Sequence, residues 1–388
     1  MASRIERSPL IDWWRTVDRV LLGLILSLML AGIILCLAGS PAVADRLGLP
    51  QFHFVKRQIL FMVPAAFVML LVSFMSPRHV RRAALLVYLG SLALVFVALL
   101  WGVEVKGARR WVNIAGMSIQ PSEFLKPAFV VLVAWAFSEG GKRKDLPGNV
   151  IGFVLLVATL VPVALQPDIG QTGLMAICWG GLVFVSGLHI FWVVGFSGVG
   201  VVGLAAAYKF LPHVKARIDR FSDKQSGDTF QVDNAYESFM QGGWFGKGPG
   251  EGTIKRILPD SHTDFIFAVT AEEFGIIICL VVLLLFMIVV LRGLVLARRH
   301  DDPFCRLAAA GLVMLFGVQS VINMAVNVQL MPAKGMTLPF ISYGGSSLIS
   351  LALGMGFLLA VTRKRPRAEF FTPSPYPLYG ADYAGERA

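Results

Sequence analysis

Ten stretches of the chain carry almost uninterrupted apolar side chains: near residues 19–38, 58–75, 83–103, 121–137, 149–165, 170–187, 189–207, 266–291, 306–328 and 340–362. Each is close to the about 20 residues a helix needs to cross a hydrocarbon layer roughly 30 Å thick, where lipid offers no partner to an open peptide group. A membrane barrel would alternate apolar and polar side chains, and these runs do not. The pattern predicts an all-α polytopic membrane protein of about ten transmembrane helices. The first run, from Val20 to Leu37, resembles a signal peptide in length, but it lacks a small-x-small cleavage site and further spans follow, so it reads as a retained helix.

The polar gaps between the runs orient them. Short basic clusters recur in alternate gaps: Arg78, Arg81 and Arg82; Lys142, Arg143 and Lys144; Arg292, Arg298, Arg299 and Arg306. Both tails are basic too, and by the positive-inside rule an even number of spans places both termini in the cytoplasm. The opposite side then holds a connection near 104–120, a QPDIG turn at 166–170, a segment at 329–339, and a long periplasmic loop, 208–263, between helices 7 and 8. Within that loop Trp244 and Phe245 sit among closely spaced glycines, which suits either sharp turns near a ligand or a flexible linker. The chain divides into a cytoplasmic N-terminal tail, 1–18, a transmembrane domain, 19–362, and a C-terminal tail, 363–388, rich in Pro, Tyr and Ala, that reads as disordered.

Composition agrees. Of 388 residues 56% are hydrophobic and only 15% charged, with a mean hydropathy of +0.70, more apolar side chain than a soluble core of this size hides. The net charge of +11 belongs to the basic helix flanks, so no nucleic-acid partner is expected. The four cysteines lie in or beside apolar runs without CxxC spacing, which removes disulfide and metal readings.

Ionisable residues at membrane depth are costly and tend to face a bundle interior or an aqueous cavity. In QPSEFLKP, Glu123 and Lys126 share a helix face at i, i+3, as a structural ion pair or a catalytic one. Upstream, Arg109 and Arg110 suit either diphosphate oxygens or interfacial anchoring. Asp168, just before an apolar run, reads as a helix cap. In LPDSHTDFIFAVTAEEFG, Ser261 and Thr263 are candidate N-caps and Asp264 fits a first helical turn. Glu272 lies about 12 Å further along, deep for a cap, so it stands as a cap or a cavity residue.

Five segments occur in order: KGARRWVNIAGMSIQPSEFLKP, QPDIGQTG, GGWFGKGPGEG, LPDSHTDFIFAVTAEEFG and MPAKGMTLPFISYGGSS. Together they resemble the SEDS family of shape, elongation, division and sporulation proteins over residues 15–365, closer to its division branch than to its elongation branch. The resemblance implies a multi-pass protein of the bacterial inner membrane, at the division septum, that polymerises lipid II into glycan strands at the periplasmic face. Its implied partners are lipid II, the nascent glycan strand, a class B penicillin-binding protein and other division proteins. It implies Asp264 as the essential carboxylate and a functional role for Glu123 and Lys126.

The chemistry fits these residue types. The donor is α-linked to diphosphate and the product is β-1,4-linked, so one inverting displacement with a single general base suffices, and Asp264 is the candidate. Arg109, Arg110 and Lys334 are expected to bind the leaving diphosphate, with His262 as a further substrate contact. No motif builds a metal cage, which leaves Mg²⁺ or Mn²⁺ to enter with the diphosphate. Two other functions fit ten helices with intramembrane charge: a lipid II flippase, whose key charges would lie near the midplane, and a non-catalytic division scaffold working through small-residue helix faces.

Overall fold

The computed structural model describes residues 8–187 and 230–364, except 106, 107, 115, 144, 333 and 334, together with scattered positions from 195 to 215. Nine of the ten apolar stretches coincide with described helices. They are α2 (Arg19–Arg46), α3 (His53–Ser73), α4 (Pro77–Trp101), α5 (Pro121–Lys142), α6 (Gly148–Leu165), α7 (Ile169–Val185), α9 (Ile266–Arg298), α10 (Pro303–Asn327) and α11 (Gly345–Val361). Seven are long and apolar enough to cross a membrane, and α7 and α11 are shorter apolar helices. Most of the expected stretch 189–207 falls outside the described residues, as do Lys334 and the tail from 365 onward.

Local chemistry sets several starts. Asp18 caps α2 by accepting the Leu21 N–H at 2.8 Å, Ser76 precedes Pro77 at the first turn of α4, and Asp168 caps α7 through Gln171, as short polar acceptors and Pro at N1 do generally. A short helix, α1 (Pro9–Thr16), precedes the bundle. Trp13 of α1 donates to Ser73 Oγ at 2.8 Å and stacks on Phe74. At the same end Arg363 donates to Thr16 Oγ1 at 2.9 Å, so the described beginning and end of the chain meet. Arg292 grips Asp18 there with two hydrogen bonds, 2.6 and 3.2 Å.

Burial separates the centre of the bundle from its rim. In α5 and α10, 72% of the most apolar window is buried, against 28% in α4, α6 and α9. The first pair forms the interior, and the others present wide apolar faces suited to lipid.

The end opposite the chain termini is not simple loop. The connection 104–120 folds into a three-stranded antiparallel sheet, β1 (Val103–Val105), β2 (Ala108–Ile114) and β3 (Met117–Ile119). The latter part of the long loop holds an amphipathic helix, α8 (Phe230–Gly242), and a 3₁₀ turn, Ile254–Arg256.

The helix α9 is broken. Gly275 has φ 83° and ψ 175°, a conformation open only to glycine. The glycine-rich segment repairs the break: Lys247 and Gly248 donate to the carbonyls of Glu272 and Glu273, while Ile276 donates to the Gly243 carbonyl at 2.9 Å. A β-carbon at Gly275 would come within 2.3 Å of the Trp244 carbonyl, so glycine is also required by space. The linker reading of this loop therefore does not hold. Beyond the break, residues 276–298 extend about 34 Å at 1.5 Å per residue, enough to span the membrane alone.

Candidate functional site

The turn before α9 carries Asp264. The helix starts only at Ile266, after an N-cap residue, Phe265, that supplies no side-chain cap. Neither Ser261 nor Thr263 caps α9: the Thr263 hydroxyl turns back to the Asp260 carbonyl. Capping comes instead from α10, where Asn327 Oδ1 accepts the Ala268 N–H at 3.1 Å. Asp264 thus lies outside the first helical turn, and its side chain lines a cavity of about 990 Å³.

The facing wall is the turn 335–343. Ser342 Oγ donates to the Thr263 carbonyl at 2.6 Å and accepts the Leu338 N–H at 2.7 Å, and Tyr343 N–H donates to the His262 carbonyl. Gly335 lies directly opposite the carboxylate: a β-carbon there would sit 3.8 Å from Asp264 Oδ2. Asn323 of α10 donates both to the Asp264 carbonyl at 2.9 Å and to the Met336 carbonyl at 2.6 Å.

Strand alternation divides the two arginines of β2, because successive side chains point to opposite faces. Arg110 lines the cavity. Its Nε donates to the Gln166 carbonyl at 3.2 Å, its second nitrogen to the Pro167 carbonyl, and it lies 3.7 Å from Asp168. Arg109 is half exposed and pairs with Glu104 at 3.6 Å; it is not brought to the cavity, contrary to expectation. A different cation takes that place. Arg57, one turn into α3, lines the cavity together with Leu60, Phe61 and Pro64 of the same helix.

Glu123 and Lys126 form a buried ion pair at 2.9 Å. Gln171 donates to the other Glu123 oxygen at 2.7 Å, and Lys126 also donates to Gln319 of α10 at 3.0 Å. Partners on both sides offset the cost of burying these charges. Glu123 itself borders the cavity.

Glu272 is not a cavity residue. Its carboxylate accepts the N–H groups of Thr253, Ile254 and Lys255 at 2.6, 2.7 and 3.1 Å, capping the 3₁₀ turn of the preceding loop. Beside it, the buried Lys255 is bonded to Glu273. Two adjacent acids thereby fix the segment that leads to Asp264.

His262 is packed in an aromatic cluster, its ring centroid 4.5 Å from Phe54 and 5.3 Å from Tyr343. It is not among the residues lining the cavity, which departs from its expected role as a substrate contact. Burial, reinforced by Arg46 and partly opposed by Asp260, pushes its pKa down to about 4. The ring is neutral at physiological pH.

Among the described residues no group of three or more His, Cys, Asp or Glu is arranged to hold a metal ion. What converges on the cavity is the carboxylate of Asp264, with Asp260 and Glu123 at its border, two guanidinium groups and an apolar wall. That set suits a substrate with an anionic centre next to a greasy chain. Arg57 and the amides of α10 escaped the reading of the sequence; the signal for the latter was three amide side chains, Gln319, Asn323 and Asn327, four residues apart in an apolar run.

Residues 18–367 match the family model described as cell cycle protein, which covers FtsW, RodA and SpoVE. The Caulobacter vibrioides protein named "Probable peptidoglycan glycosyltransferase FtsW" is 46% identical over 367 residues, 94% of each chain. Its namesake from Tolumonas auensis is 33% identical, covering 90% of this chain and 92% of its own. Among solved structures, a chain of a peptidoglycan synthase complex that coordinates polymerization and crosslinking superposes with a TM-score of 0.73 at 26% identity, covering 89% of this chain and 97% of its own. The rod shape determining protein RodA of Thermus thermophilus gives 0.68 at 25% identity, covering 91% and 99%.

Proposed function

The chain belongs to the FtsW, RodA and SpoVE family of cell cycle proteins, and from that membership we propose how its cavity works. The protein is a peptidoglycan glycosyltransferase. It polymerises lipid II at the periplasmic face of the inner membrane during septal wall synthesis, alongside a class B penicillin-binding protein. The names of its relatives support the division role, and its likeness to a chain of a synthase complex supports the partner.

Asp264 is the general base. It takes the proton of the acceptor sugar's 4-hydroxyl as that oxygen attacks the anomeric carbon of the donor. The bond from that carbon to the diphosphate oxygen breaks on the opposite face, the configuration inverts from α to β, and undecaprenyl diphosphate departs with the bonding pair. Arg57 and Arg110, joined by Lys334, stabilise the charge that grows on the leaving group, commonly the largest catalytic term. The apolar side chains of α3 receive the first prenyl units.

The observation that carries this reading is the shared cavity: Asp264, Arg57, Arg110 and the apolar face of α3 line one space of about 990 Å³. Its test is reconstitution of the purified protein with lipid II, scoring glycan polymer and lipid sidedness separately. Asp264→Asn is expected to lower polymerisation by about 100-fold or more, the ordinary worth of a positioned base, with folding retained. Polymer at the wild-type rate from this variant defeats the assignment, and sidedness change without polymer points to a carrier.

A further inference from the structure

The amides of α10 do more than fill the bundle. Gln319, Asn323 and Asn327 are four residues apart, so they stack on one helix face. All three are buried, where unpaired amides are costly, and each is spent on backbone that frames the cavity. Gln319 donates to the Thr337 carbonyl at 3.1 Å. Asn323 uses both N–H donors, one on Asp264 and one on Met336. Asn327 donates to the same Asp264 carbonyl at 3.1 Å while accepting the Ala268 N–H.

The last pair has a geometric meaning. Asp264 O and Ala268 N are the groups that would bond each other if α9 began one residue earlier, with Asp264 as its N-cap. The Asn327 amide stands between them, accepting from one and donating to the other, so the backbone does not make that bond. Asp264 is held outside the helix. Asn323 then fixes where it is held, because one planar amide spans the carbonyls of Asp264 and Met336, and hence the spacing between the carboxylate and the facing turn at Gly335.

We propose that Asn323 and Asn327 are positioning residues for Asp264: together they keep it from becoming the N-cap of α9 and set its distance from the 335–337 turn. This rests on the assignment of Asp264 as base. Neither side chain acts on substrate through this device; both act through the backbone of Asp264. Gln319 links the same scaffold to the Glu123–Lys126 pair through Lys126, so that pair reaches the cavity wall through α10.

The experiment is steady-state polymerisation of lipid II by purified Asn323→Ala and Asn327→Leu, with melting temperature and fluorescent lipid II binding measured on the same samples. Asn327→Leu removes the inserted amide and lets Asp264 O and Ala268 N–H bond directly, so it is expected to fold while drawing Asp264 to the N-cap of α9. Both variants should lose at least about tenfold in kcat with KM and lipid II affinity within about threefold, the signature of misplaced chemistry with binding intact. Wild-type kcat in either variant overturns the proposal. So does a loss that tracks lipid II affinity, which assigns these amides to binding, or failure of both variants to fold, which assigns them a purely structural role. Asp264→Asn run in parallel separates the two ideas: if it is inactive and the amide variants are not, only the positioning fails.

Discussion

The carboxylate of Glu272 accepts the backbone N–H of Ile254 at 2.7 Å. Two neighbouring amides converge on the same side chain, so an acid inside α9 acts as the cap of a turn eighteen residues earlier in the chain. Truncating it orphans three N–H groups, two of them bonded at buried positions. Glu272→Ala is expected to destabilise the protein by about 1–3 kcal/mol, the cost of unsatisfied buried donors. Thermal unfolding in detergent measures this, and Glu272→Gln, which keeps an acceptor oxygen, should fall in between.

Gly275 makes a second test of the same assembly. With φ at 83° and no room for a β-carbon beside the Trp244 carbonyl, Gly275→Ala must shift the 243–248 segment off the break. We expect a loss of about 1–3 kcal/mol, the range for a non-glycine residue in a strained backbone region, and faster limited proteolysis within residues 243–256. Unchanged proteolysis would show that the segment stays docked without the glycine.

Removing one partner of the Glu123–Lys126 pair strands a buried charge. Lys126→Met alone is expected to cost about 3–5 kcal/mol. Combining it with Glu123→Gln should recover much of that in the melting temperature, because the remaining groups are neutral and Gln171 still has a partner. Polymerisation in the stable double variant then reports whether the charges matter beyond folding.

His262 gives stability a pH dependence of definite sign. Its pKa is about 4 in the folded chain against 6.5 for the ordinary imidazole, so the unfolded chain binds more protons between those values. Its contribution is complete above pH 6.5, declines as pH falls toward about 4, and then levels off. His262→Phe keeps the aromatic packing with Phe54 and Tyr343 and removes the titration. The difference in melting temperature between wild type and variant should therefore change between pH 7 and pH 5, and a constant difference would mean the ring is not buried as neutral imidazole.

Arg57 and Arg109 differ in placement and should differ in effect. Arg57→Ala is expected to lower kcat/KM for lipid II by about tenfold or more, as loss of a charge that stabilises the leaving group does. Arg109→Ala, half exposed on the other face of β2, should change it by less than about twofold, as exposed pairs contribute little. Equal losses would contradict the placement of Arg57 at the cavity and Arg109 away from it.

Much of this protein was legible in its sequence because membrane insertion is a local constraint. Each span must satisfy its own backbone within about 20 residues, so the apolar runs alone located nine described helices. The polar breaks also singled out the segments around Arg110, Glu123, Asp168 and Asp264, since charge at membrane depth is rare enough to be noticed. What could not be read is everything that depends on which residues meet from distant parts of the chain. Arg109 and Arg110 are equivalent in a string of letters and are parted by strand pleat. Glu272 looks too deep for a cap until the loop at 253–255 folds back over it. Gly275 looks like the end of a motif and is a break repaired by a segment some thirty residues earlier. Asn327 looks like one polar residue in an apolar helix, yet its amide stands between the Asp264 carbonyl and the Ala268 N–H. Hydrophobic spacing determined the spans because burial in lipid depends on each segment alone. Pairing of buried polar groups determined the site, and a pair exists only once the chain has closed on itself.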